Sequence, residues 1–442
     1  MILQATHNPA IHRSLTQRQP IFAYAALFVL VLTLQFSPMV GLIGFRLTGA
    51  SGWSLISVAR DALVLLLGAA VLLRSLLTLR LVRWTRSVVW ASITLITLAI
   101  LAVISTADLA SVALNLRRLL MFPLLFFAVA AAQLSPSQIL GLFRLILNTT
   151  VFVAVFGIIE YFAPNTLWSD YFRVVDFYSS NPLDPFGALP FEESGRFFSW
   201  DLQGLFGGPV RRAVSTYLEP TTLAAALMCG ICLAAAARRL GQKGAGFKLL
   251  LILACGILTL SKAFHLFLVV MVLYVYFRIP SPRWIFTLTI IGGGFALWVH
   301  SIGLTLGKFE HIAGLATAIH HVTSGNLLGE GIGNAGNYAA LASDREIGAE
   351  SGLGNLLGQV GLAALIYLFW IQSLAVDVIK RARERRDRTG VYFASMVLGW
   401  FISFLFSASS LGIGGNALVF LTLSLYLHKN HPGLNKIERV RQ

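Results

Sequence analysis

Three short clusters of charged and small polar residues could carry chemistry in a chain that is otherwise apolar. The first is Arg211-Arg212, directly before Ser215-Thr216-Tyr217-Leu218-Glu219-Pro220. Two guanidiniums at a helix start run against the macrodipole, which favours anions there. An anion held between the arginines and the helix N-terminus resolves the conflict, and a phosphate suits the planar guanidinium fork. Plain headgroup anchoring is the competing reading. The second cluster is Ser261-Lys262, in a tight link between two short apolar runs. Lys262 is a lone cation there, either neutralising a phosphate or snorkelling to the membrane surface. The third runs from His320 to Gly361. It contains His320-His321, then Gly329-Glu330-Gly331-Ile332-Gly333-Asn334-Ala335-Gly336, then Asp344-Arg345-Glu346, then Glu350-Ser351, and it leads into a helix through Gly352 and Gly354. Its glycines permit positive φ and close backbone approach.

The same residues exclude other chemistries. Gly331, Gly333 and Gly336 imitate a dinucleotide fingerprint, but no strand–turn–helix unit surrounds them, so that function is set aside. The adjacent His320 and His321 do not converge from one helix face and have no third ligand spaced nearby, so no metal is expected. Cys229 and Cys232 form a C-x-x-C inside an apolar run, and Cys255 lies in another; buried thiols are expected rather than a redox or metal pair. Arg117-Arg118, at the outer mouth of a helix, join the inventory of cations, and Arg60-Asp61 reads as a structural ion pair.

The elements that must position these groups follow from composition. Hydrophobic residues make up 57% of the 442 and charged residues 12%, with a mean hydropathy of +0.76. A soluble domain carries about 25% charged residues, so a soluble fold is excluded. Many apolar runs have the roughly 17–25 residues that cross a hydrocarbon core. The polar start, Met1 to Pro20, leads into the first of them without a small-residue cleavage pattern, so no cleaved signal peptide is expected. The expected fold is an all-α polytopic membrane protein of about 12 transmembrane helices with two large periplasmic loops. Helices are expected near 21–37, 54–73, 87–106, 117–133, 138–162, 213–237, 248–260, 264–278, 284–301, 353–374, 391–407 and 410–427. This divides the chain into helices 1–5 (1–162), a loop (163–212), helices 6–9 (213–301), a second loop (302–352), and helices 10–12 with a tail (353–442).

Charge chooses the orientation. With both termini cytoplasmic, the cytoplasmic segments hold 23 of the 34 Lys and Arg but only 4 of the 19 Asp and Glu, as the positive-inside rule requires. The cluster Lys380, Arg381, Arg383, Arg385, Arg386 and Arg388 dominates this asymmetry. It reads as an anchor on an anionic leaflet, so the net charge of +15 does not point to nucleic acid. The two long loops then face outward, and loops of that length are usually functional or disordered. Both carry aromatics, glycines and mixed charge, which predicts folded loops; Phe172, Phe177, Tyr178, Phe186, Phe191, Phe197, Phe198 and Trp200 in the first either cover a site or stack on sugar rings, or sit at the membrane interface.

These residues, in this order, resemble the O-antigen ligase and polymerase superfamily of membrane glycosyltransferases. Arg212-Ala-Val-Ser215-Thr216-Tyr-Leu-Glu219-Pro220 is similar to that family's R-x-x-[GS]-T-x-x-x-P, and Leu258-Thr259-Leu260-Ser261-Lys262 to its L-T-x-S-R. Gly331-Ile-Gly333-Asn334, Glu350-Ser351 and Gly358-Gln-Val-Gly361-Leu362 correspond to its glycine segment, polar dipeptide and G-x-x-G-L. The motifs span roughly 205–375. Lys262 stands where the family has Arg, and Glu350 where its ligases have His. Glu-Ser at that point looks more like the exopolysaccharide and capsule polymerases of the superfamily.

The resemblance implies polymerisation of undecaprenyl-pyrophosphate-linked repeat units at the periplasmic face of a bacterial inner membrane, without a cofactor. It implies a flippase and a chain-length regulator as partners besides the bilayer. Arg211, Arg212, Lys262, Arg117 and Arg118 would hold the pyrophosphate. Glu350 first, and His321 second, would be the general base. Gly331, Gly333, Asn334 and Ser351 would position the loop. A ligase that moves finished glycan to a lipid A core or protein, and a flippase for the same lipid, are the alternatives.

Overall fold

The computed structural model describes residues 9–49, 59, 61–66, 70, 85–132, 134–180, 189–200, 203–277, 283–301, 310–336, 351–384 and 389–428. The described chain is almost entirely helical. Its main helices are α1 (Pro9–Thr48), α2 (Arg86–Val103), α3 (Leu109–Ala132), α4 (Pro136–Phe162), α5 (Pro220–Arg239), α6 (Ala245–Leu258) and α7 (Lys262–Phe277). They continue with α8 (Trp284–Ser301), α9 (Glu310–Thr323), α10 (Gly352–Val360), α11 (Ala364–Glu384), α12 (Gly390–Phe406) and α13 (Ile413–His428). Among the described residues, six stretches are long and apolar enough to cross a membrane: Ile21–Thr48, α2, α3, α4, α5, and Gly352–Arg383. Shorter apolar helices accompany them.

Local chemistry sets several boundaries. Ser135 and Gln138 form a reciprocal capping box, with Pro136 in the first helical turn of α4. Thr85 caps α2 by accepting from Val88 N–H. Gly361, at φ +55, turns the chain between α10 and α11, and Leu362 N–H donates to Leu327 O there. The span expected at 353–374 is therefore broken after Val360 and runs on to Glu384. Two further expectations are corrected. The first helix does not stop at 37 but continues through Pro38 to Thr48, and α3 begins eight residues before 117. Arg117 and Arg118 consequently lie two turns inside a helix rather than at its mouth.

Helices α5 and α13 form the centre, buried along nearly their whole lengths. The small side chains of α5 (Ala224-Ala225-Ala226, Gly230, Ala234 to Ala237) let neighbours approach closely, as in membrane helix packing. Gly415 of α13 lies against the Thr222 carbonyl and leaves no room for a Cβ. Around this centre α3 packs on α13, α6 on α4 and α5, α7 on α12, and α2 on α3 and α11. Cys229 and Cys232 are buried free thiols that donate to the carbonyls of Ala225 and Tyr392.

The segment after α4 builds a second, separate core at one end of the bundle. Trp168, Val174, Phe177, Phe191, Phe197 and Phe198 pack with Leu42 and Phe45 of α1 and with Val214 and Leu218. A short antiparallel pair, β1 (Phe198–Ser199) with β2 (Val210–Arg211), closes it. The segment is folded, as its composition predicts, but most of its aromatics pack on one another rather than lining an open surface; Phe186 lies outside the described residues.

Candidate functional site

The same end of the bundle gathers most of the polar residues singled out from sequence, and it sorts them into two groups. The first is organised by Glu160, which sequence reading passed over. It lies in the last turn of α4 and is 1% exposed. One carboxylate oxygen accepts from Val214 N–H at 2.7 Å and Ser215 N–H at 3.2 Å. The other accepts from Trp168 Nε1 at 2.9 Å and lies 3.4 Å from Arg211 Nη2. Arg211 also donates to Asn165 Oδ1 at 2.8 Å, and its guanidinium lies within 6 Å of the ring centroids of Phe191, Phe197 and Phe198. Burial pulls the Arg211 guanidinium below its ordinary pKa, and the Glu160 charge opposes that shift. Arg211 is therefore an internal staple between α4 and the second core, not an open phosphate ligand.

Arg212 faces the other way. Its Nε donates to Thr259 O at 3.0 Å and its Nη1 to Gly195 O at 2.8 Å, so it bridges the second core and the α6–α7 turn. Lys262 opens α7 at that turn and is exposed, while Arg212 is half-buried. The turn is tight: Leu260 takes φ +50, and Ser261 N–H donates to Thr259 Oγ1. Arg212 and Lys262 are thus brought to one corner. Arg117 is not part of it; its guanidinium lies 2.7 Å from the Asp61 carboxylate, which is nearly buried. The sequence pairs Asp61 with its neighbour Arg60, which lies outside the described residues. Arg118 is half-buried on the same helix as Arg117.

The second group is built on the glycine loop after α9. The helix ends at Thr323, and the chain turns back so that His321 Nε2 lies 2.7 Å from Glu330 Oε1. Asn326 Nδ2 is 3.1 Å from that carboxylate oxygen and 2.6 Å from His321 Nε2. The pair is partly open, with side-chain exposures of 24% and 18%. His320 points away and is exposed beside Ser324.

The loop beneath is pinned on both sides. Glu330 N–H and Gly331 N–H donate to the Gly358 and Gln359 carbonyls of α10, and Gly333 N–H donates to Gln359 Oε1. Asn334 Nδ2 donates to Glu330 O and to Thr106 Oγ1, and Ser105 Oγ donates to Ile332 O. Gly331 and Gly333 take φ +96 and +100, so the glycine run is required by conformation. Ser351 caps α10 by accepting from Gly354 N–H, and it donates to Leu405 O of α12. Gly331, Gly333, Asn334 and Ser351 therefore all position this loop and its supporting helix. Glu350 lies outside the described residues.

A Cβ at Gly333 would lie 3.0 Å from the Ser111 and Val112 backbone, in a conformation that L side chains rarely adopt. Gly333→Ala is expected to destabilise the loop by about 1–3 kcal/mol without dislodging the bundle. Limited proteolysis checks this: cleavage within 324–336 should accelerate while the helices stay resistant. Unchanged cleavage would mean the loop tolerates the side chain.

The loop thus presents an imidazole whose Nε2 lies between the Glu330 carboxylate and the Asn326 side-chain amide. That is a base-and-orienter arrangement. Glu330 was read in the sequence only as part of a glycine run. Its spacing of nine from His321 signals a pair only once the helix end at Thr323 is known. Compared with known protein families, characterised proteins and solved structures, the chain matches none.

Proposed function

We propose that this chain is a membrane glycosyltransferase that polymerises undecaprenyl-pyrophosphate-linked repeat units at the periplasmic face of a bacterial inner membrane. The observation that carries the reading is the His321–Glu330 pair, held on a pinned glycine loop at the same end of the apolar bundle as Arg212 and Lys262. Counting residues 61–66 as part of one further span, and α10 with α11 as another, the helices are compatible with twelve crossings. The charge distribution supports an orientation with both termini in the cytoplasm and this end outside.

In this reading an acceptor sugar hydroxyl attacks the anomeric carbon of the lipid-linked glycan. The bond from that carbon to the pyrophosphate oxygen breaks, and the new glycosidic bond forms. The hydroxyl proton passes to His321, and Glu330 holds the imidazole. Lipid pyrophosphate leaves with its charge met by Arg212 and Lys262, worth more in a partly dry site than in water. His321 replaces Glu350 as the preferred base because an orienting carboxylate supports it. A transporter would keep polar groups near the middle of the membrane for its substrate. Midway along α1, Gln35 is satisfied internally by Tyr217, Thr149 and Thr150.

The test is a deletion strain whose extracted polysaccharide and lipid-linked intermediates are sized on a gel. Loss of long polymer with persistence of single repeat units is the expected result. Full-length polymer left on lipid pyrophosphate would make the protein a ligase, and repeat units trapped in the cytoplasmic leaflet would make it a flippase.

A further inference from the structure

The hairpin formed by β1 and β2 has a base locked to the bundle and a tip that packs on nothing described. At the base, Arg211 joins Glu160 at the end of α4. Arg212 Nε donates to Thr259 O, and Ala213 N–H donates to Leu258 O at 2.9 Å, both at the end of α6. At the tip, a helical turn Gln203–Phe206 has no buried residue. Leu205 is 80% exposed, Phe206 69%, and Trp200 at its foot 45%. A Cβ added at Gly204, Gly207 or Gly208 would meet nothing within 4 Å. An apolar cluster raised on such a stalk gains nothing from the described residues, and soluble surfaces avoid such clusters unless something covers them.

The base fixes where the tip can reach. It sits where α4, long and apolar enough to cross a membrane, and the shorter apolar α6 end, and those ends carry exposed apolar side chains: Ile159 and Phe162 on α4, and Ile257 on α6. These belong to the surface that faces lipid if the helices cross a membrane. The tip adds Trp, Phe and Leu to a stalk whose base holds Arg212, the composition found where headgroups meet acyl chains. We infer that the hairpin tip is a monotopic wedge, with Trp200, Leu205 and Phe206 seated in the headgroup–acyl boundary of the leaflet in which α4 and α6 end. Insertion by roughly 5–10 Å is the depth such apolar faces reach. The wedge rests on the membrane reading alone and stands whether or not the protein transfers glycans. It would hold Arg212, and with it the α6–α7 turn, at the level of lipid phosphates.

The test places a fluorescent label at Leu205→Cys in full-length protein whose native cysteines are replaced by Ala, reconstituted in phosphatidylethanolamine–phosphatidylglycerol vesicles. Glu192→Cys, on an exposed acidic turn, provides the aqueous control. The expected result is several-fold stronger quenching at 205 than at 192 by nitroxides on shallow acyl carbons, with the reverse for iodide. Iodide quenching at 205 equal to that at 192 would overturn the wedge. So would protection from both quenchers, which would mean that protein, such as a second copy, covers the tip. A second measurement keeps all native cysteines: brominated acyl chains should quench a component of intrinsic fluorescence in the parent chain that Trp200→Phe lacks. No difference between the two would also overturn the inference.

Discussion

Glu160→Gln is expected to lower the stability of the folded protein by roughly 3–5 kcal/mol, the usual consequence of removing one partner of a buried ion pair. The carboxylate meets four donors from three places: the side chain of Trp168, the backbone of Val214 and Ser215, and the guanidinium of Arg211. Glutamine keeps one carbonyl oxygen for them and adds an N–H where an acceptor is needed. Arg211, with a side chain 12% exposed, then keeps its charge without the countercharge. Arg211→Met should destabilise for the complementary reason, since it leaves Glu160 charged in the same enclosure. Glu160→Gln with Arg211→Met should be less damaging than the two single effects added, because neither charge is stranded. The readout is the thermal midpoint and inactivation half-life of detergent-purified protein. Midpoints for both single variants within a degree or two of the parent would show that the pair is not a staple. Additive losses in the double variant would show that the residues act separately.

That staple also shows where the sequence stops being legible. The apolar runs mark most helices because burial in lipid demands length and hydrophobicity, and both are written locally. Glu160 is one acidic residue at the end of such a run, and its partner lies 51 residues later across a segment with no repeating pattern. Nothing local distinguishes it from a carboxylate facing water. Arg211 and Arg212 were read as equals because adjacent residues look equivalent in sequence. In β2 alternate residues face opposite ways, and the chain leaving that strand sends one inward to Glu160 and the other across to Thr259. The aromatics after α4 were visible, but not that they would form a core of their own, because that core also needs Leu42 and Phe45. Those sit in the part of α1 beyond Pro38, where a proline argues for a helix end that tertiary packing overrides.

The glycine loop was more accessible. Runs of glycine state a backbone requirement directly, and Gly331 and Gly333 meet it with positive φ. What could not be read was the chemistry above them. The sequence offers His321 as a ligand or a base, and Glu330 only as one residue of a glycine run. Their meeting depends on α9, a helix within 302–352, where the sequence predicts a loop. The two carboxylates considered across this region therefore exchange importance: Glu350 lies outside the described residues, and Glu330 is the one with a geometry.

That exchange gives the second large effect. If polymerisation runs through the pair, His321→Ala should reduce polymer formation by roughly 10²–10⁴-fold, the range supplied by a positioned general base. Single lipid-linked repeat units should persist, because binding of the pyrophosphate does not use the imidazole. Glu330→Gln should reduce turnover less, since the amide can still accept from Nε2 but no longer offers a charge to the imidazolium formed in the transition state. Its loss should fall on kcat with KM little changed, the signature of an interaction made in the transition state. Arg212→Ala should differ in kind, raising KM as well, because that cation meets the donor before reaction. Protein levels in the membrane and thermal midpoints must match the parent for these comparisons to hold. Turnover retained in His321→Ala but lost in Glu350→Gln would return the base to Glu350 and leave the His321–Glu330 pair as a clasp that fixes the glycine loop to α9.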